Sequence, residues 1–100
     1  MNVTEVRVKL LQGQRDKLRA FASMTIDDCI VIRDIKIIEG GKGLFVAMPS
    51  RRRPDGTYQD IAHPINNETR DRMENEIIEA YKKELKQAAS EAGLEMTEQQ

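Results

Sequence analysis

Apolar and polar residues alternate along the first half of the chain, and the period changes once, near Asn66. Val6, Val8 and Leu10 lie on one side of residues 3–11, with Arg7 and Lys9 on the other. That alternation predicts a half-buried strand. Leu18, Ala20, Ala22, Met24 and Ile26 form one face of a second strand. Lys17, Arg19, Ser23 and Thr25 form the other, interrupted by Phe21. Asp27 and Asp28 predict a turn. Residues 30–38 are nearly continuous and β-branched, as in a central strand covered on both faces. Arg33 and Asp34 break their period, which a β-bulge would explain. Leu44, Val46 and Met48 continue the pattern, and a short strand follows from Tyr58 until Pro64 ends it. Short links favour antiparallel neighbours, because a parallel crossover needs a dozen residues or more.

After Asn66 the spacing becomes helical. Met73, Ile77, Tyr81, Leu85 and Ala88 follow one another at intervals of four, four, four and three. They form one apolar stripe, predicted to lie against the sheet, opposite Glu74, Glu76, Glu79, Lys82, Lys83 and Lys86. Asn66 or Asn67 is suited to cap the start, and Gly93 to end the helix. The expected fold is α+β: an antiparallel β-sheet meander of about five strands, then a C-terminal α-helix. The expected organisation is one domain over residues 1–90 and a polar tail over 91–100.

The densest stretch is residues 43–65, GLFVAMPSRRRPDGTYQDIAHPI, which reads as a hairpin. In its PDG turn proline presets φ, aspartate bonds its own backbone, and glycine accepts positive φ. The tip carries Arg51, Arg52 and Arg53. Three adjacent guanidinium groups repel one another unless an anion lies between them, and their forks match phosphate oxygens. A solvated loop is the other reading of the same residues. Composition changes this picture in one respect. Net charge is −1, which argues against a strong polyanion binder. Yet residues 1–53 hold eleven Lys and Arg against six Asp and Glu, whereas residues 54–100 hold five against eleven. This segregation predicts a basic face and an acidic face. Arg7, Lys9 and Arg19 make a secondary basic strip on the sheet. Arg70 and Arg72, at the helix start beside Asp71 and Glu74, are weaker candidates.

Other chemistry has little support. GGKG at 40–43 is followed by Leu44 and a strand, not by the Ser or Thr and helix of a phosphate loop. His63 with Asp60 and Asp55 offers neither a second nitrogen ligand nor a nucleophile. Cys29 is the single cysteine, and the carboxylates of Asp27 and Asp28 beside it disfavour a thiolate. No catalysis, cofactor, metal or small-molecule substrate is expected. No run nears the ~18 apolar residues of a membrane span, and Met1-Asn2-Val3 leads directly into strand-like sequence, so the expected location is cytoplasmic.

The motifs together resemble one family. VTEVRVKLL, IVIRDIKIIEG, residues 43–50 followed by a basic cluster, PDG, DIAHPIN and NETR are similar to the stage V sporulation protein G (SpoVG) family over residues 1–85. One of the three tip arginines stands where that family often has an uncharged residue. The resemblance implies a site-preferring DNA- and RNA-binding regulator that affects septation, sporulation and cell-surface genes. It also implies a homodimer, for which the strand at residues 58–65, free of lysine and arginine, offers a poorly guarded edge. The competing reading is a protein-interaction module of the septation machinery that does not bind nucleic acid.

Overall fold

The computed structural model describes residues 1–11 and 17–90. The polar connection at 12–16 and the tail from 91, with its Gly93 stop, lie outside the described residues. Four strands, β1 (Val3–Leu10), β2 (Leu18–Ile26), β3 (Ile30–Gly40) and β4 (Gly43–Ala47), form an antiparallel sheet in chain order. Two short strands, β5 (Ser50–Arg52) and β6 (Tyr58–Asp60), pair, among the described residues, only with each other. A helix, α1 (Asn67–Ala89), follows. This is the expected α+β meander with a C-terminal helix.

The predicted hairpin at 43–65 is in fact two pieces. β4 pairs with β3, not with the returning strand. Pro49 lacks an N–H and interrupts the ladder, and the chain restarts at Ser50 as a separate ribbon.

The bulge expected in β3 is present. Ala22 pairs with Ile35 and Met24 with Ile32, so Ser23 alone faces both Arg33 and Asp34. Asp34 takes φ +60 there. The extra residue resets the alternation so that Ile32, Ile35 and Ile37 all face the same side. The turn before β3 is equally specific. Asp27 and Asp28 have φ of 53 and 55, the two positive values of a type I′ turn. Asp27 Oδ1 accepts from the Asn2 amide, and the Asp28 amide donates to Thr4 Oγ1, which ties the turn to β1.

Ala20, Ala22, Met24, Ile35 and Ile37 of the sheet close on Met73, Ile77 and Tyr81 of the helix, and these eight are the buried core. Burying each large aliphatic side chain contributes about 1.5–3 kcal/mol. Val6, Val8, Leu10, Leu44, Val46 and Met48 pack around them. Leu85 departs from expectation: it is 40% exposed and not against the sheet. A row at i, i+4 rotates about 40° per step around a 3.6-residue helix, so by Leu85 the stripe has turned away. β3 also departs, because among the described residues only its inner face is covered; Val31 on the outer face is exposed.

Helix and sheet are also joined at their edges. Asn66 caps the helix, its Oδ1 accepting from the Thr69 amide at 2.8 Å. Glu74 reaches β4, the outermost strand, and accepts from the Val46 amide at 3.3 Å. A carboxylate thus occupies a backbone donor on an otherwise open edge.

Candidate nucleic-acid interface

All three tip arginines are exposed, and the β5–β6 ribbon presents them. Arg51 pairs with Gln59 and Arg52 with Tyr58. Side chains alternate across a strand, so Arg51 and Arg52 project from opposite faces of the ribbon. The turn that holds them is closed by short bonds. The Arg53 amide donates to the Thr57 carbonyl at 2.7 Å, and the Gly56 amide to the Arg53 carbonyl at 2.9 Å. Gly56 sits at φ +92, a conformation that a side chain would strain. Asp55 Oδ1 accepts from the Thr57 hydroxyl at 2.7 Å and the Thr57 amide at 3.0 Å. The hydroxyl first, then the amide, hold the Asp55 carboxyl below its usual range. Asp55 is therefore committed to the turn. Among the described residues none of the three arginines is ion-paired.

Arg7 and Lys9 lie on the outer face of the sheet, away from the helix, in register with Ser23 and Phe21 of β2. Arg7 bonds Glu5 through Nε at 2.9 Å and remains exposed. Arg19 is more enclosed and pairs with Glu39 Oε1 at 3.1 Å. It is the extra residue of a second bulge, since Leu18 pairs with Ile38 and Ala20 with Ile37. Arg70 and Arg72 are not brought together. Arg70 borders a small hollow beside Val46 and Pro64, whereas Arg72 lies with Asn75, Glu76 and Glu79.

Sequence reading missed the contribution of β3. Lys36 pairs directly with Phe21, and Arg33 borders the same outer depression as Arg7 and Lys9. The signal was the bulge, which returns Lys36 to the polar face. A wider hollow of about 730 Å³ lies between β1 and the helix. Glu5, Glu76 and Glu79 there balance Lys82, Lys83 and Lys86, so it offers an anion no net field. His63 is exposed, and no cluster of three metal-ligating side chains occurs among the described residues. No described helix is long and apolar enough to cross a membrane.

The SpoVG family model matches residues 1–83, the sheet, the ribbon and most of the helix. The chain belongs to the SpoVG family. It is 52% identical over 90 residues to the "Putative septation protein SpoVG" of Anaeromyxobacter sp. (strain Fw109-5), covering 90% of this chain and 91% of that one. It is 57% identical over 83 residues to the protein of the same name from Lachnospira eligens, covering 83% and 93%. The Bdellovibrio bacteriovorus protein of that name is 56% identical over 86 residues, covering 86% and 78%. The SpoVG match thus includes the arginine ribbon and the basic strip of β1. It ends two residues before Leu85, the position where the helical stripe leaves the sheet.

Proposed function

We propose that this SpoVG-family protein is a nucleic-acid-binding regulator with a septation-related role, and that its arginine ribbon grips phosphates. The observation that carries this reading is three exposed arginines on a short ribbon, none ion-paired among the described residues. The names of the relatives support the septation role. Regulation of sporulation and surface genes, action on DNA and RNA, and a cytoplasmic location belong to the same reading through the family resemblance. No catalytic step or cofactor is part of it. Arg7, which bonds Glu5 but stays exposed, and Lys9 are secondary contacts; Arg19 contributes less because it is more enclosed, and Arg70 and Arg72 because they are not brought together.

A homodimer fits this function, because two ribbons on one duplex raise avidity without new contacts. Ile61 and Ile65, 66% and 88% exposed, supply apolar surface beside the edge of β6. The same surface would serve the alternative, an interaction module of the septation machinery. The test is DNA binding across a salt series. Phosphate contacts release counterions, so each one lost lowers the log–log slope by about 0.9 on duplex DNA. Replacing Arg51, Arg52 and Arg53 with alanine should flatten the slope by up to about three units per ribbon engaged and weaken all sequences alike. A folded triple variant with wild-type affinity and slope would remove the ribbon from the interface and favour the interaction module.

A further inference from the structure

We infer that the outer face of the four-stranded sheet, uncovered among the described residues, is a stacking platform for single-stranded nucleic acid, with Phe21 and Phe45 as the base-stacking rings. This rests on the nucleic-acid reading above and adds to it a second surface and a strand preference. The helix covers only the inner face. On the outer face Phe21 lies in one cross-strand row between Lys9 of β1 and Lys36 of β3. An aromatic ring between two ammonium groups offers a base a π-face and its flanking phosphates two cations.

Beside this row is a depression of about 270 Å³, bordered by Arg7, Lys9, Phe21, Ser23, Arg33 and Asp34. The small Ser23 leaves the space, and the bulge at Arg33 and Asp34 forms its far wall. Arg7, Lys9, Arg33 and Lys36 outnumber Glu5 and Asp34 on this face, so its field attracts an anion. The Glu5 bond uses Nε of Arg7, which leaves the terminal nitrogens at the solvent end of the side chain.

Phe45 provides the second ring. It is 43% exposed and crosses Gly40, where an added Cβ would meet its Cε1 at 3.0 Å. The glycine thus gives the ring a fixed seat, which limits the entropy lost on binding. Phe21 and Phe45 are separated by two strand spacings and two residues, about 12 Å. A four-stranded face is broader than the helix or two-stranded ribbon that a major groove admits, whereas unpaired bases can splay onto it.

Fluorescence anisotropy with a labelled oligothymidine strand and a duplex of equal length tests this. Phe21→Leu and Phe45→Leu keep apolar bulk while removing the ring. Each should weaken the single strand by roughly tenfold. Neither should alter duplex affinity or the salt slope, because no phosphate contact is lost. Photocrosslinking of the wild-type protein to the same strand should label Phe21 or Phe45, a readout that needs no variant to fold. Wild-type affinity of both leucine variants for oligothymidine, or crosslinks confined to the ribbon, would overturn the inference and leave the ribbon reading intact. Binding of neither probe by the wild-type protein would remove both readings together.

Discussion

Ile77 and Leu85 look equivalent in the helical stripe, and the structure makes them different. Ile77 is fully buried among Met24, Ile35, Ile37 and Tyr81, whereas Leu85 is 40% exposed. Their Cα directions differ by about 80° around the helix axis. Truncating Ile77 to alanine removes buried methyl groups and leaves a cavity between two packed layers. Such changes cost about 2–5 kcal/mol, and the full enclosure of Ile77 places it near 3–4. Leu85→Ala removes surface that is already part hydrated and leaves no closed cavity, so about 1 kcal/mol or less is expected. A small domain has only about 5–15 kcal/mol in total, so the first change is severe and the second mild. Urea denaturation followed by far-UV circular dichroism, at one protein concentration, measures both. With a slope near ~1.5 kcal/mol/M, Ile77→Ala should lower the midpoint by about 2 M and Leu85→Ala by well under 1 M. Equal midpoint shifts for the two variants would refute the helix register described above.

Two smaller predictions concern turns. Asp28→Gly should raise the thermal midpoint by a few degrees, worth about 0.5–1 kcal/mol, because φ 55 suits glycine at the second position of a type I′ turn; a lower midpoint in a thermal scan would contradict this. Thr57→Val should move the Asp55 carboxyl back up towards its usual range by removing the larger of its two main donors, as read by carboxyl NMR titration. The sign follows from the lowered folded value: Asp55 contributes stability above its unfolded pKa and loses it as pH falls through the folded one, so the variant should be less sensitive to acid in that window. An unmoved Asp55 would show that the hydroxyl is not its partner.

Much of the fold was legible because alternation is a direct record of which side of a sheet is buried. The inner set of β2, Ala20, Ala22 and Met24, could be read from spacing, and it is the core. The bulge could be read too, since Arg33 and Asp34 broke a pattern that the strand resumed two residues later. Two features were not legible, for different reasons. Leu85 was misplaced because a four-residue spacing approximates the helical period and the error accumulates with each turn. The separate ribbon was missed because alternation continues past Met48, and only the missing N–H of Pro49 signals that the ladder stops. Phe21 appeared as an interruption of a polar face. In the fold it stands on this face in one row with Lys9 and Lys36.

A net charge of −1 does not decide whether the chain binds a polyanion, because what counts is where the fold places each charge. The helix places Glu76 and Glu79 beyond the inner face, and it covers that face with Met73, Ile77 and Tyr81. Arg7, Lys9 and Lys36 stand on the opposite side of the sheet. Packed layers lie about 10 Å apart, close to the Debye length of about 8 Å at physiological ionic strength. An anion at the outer face therefore meets the cations directly and the helix carboxylates only through a screened field. The ribbon goes further in the same direction, since Arg51 and Arg52 stand on a strand that, among the described residues, pairs only with β6, and Arg53 stands at its turn. What a polyanion meets is therefore set by which strands point their cations outward, since the helix carries Arg70, Arg72, Lys82, Lys83 and Lys86 beside its own carboxylates.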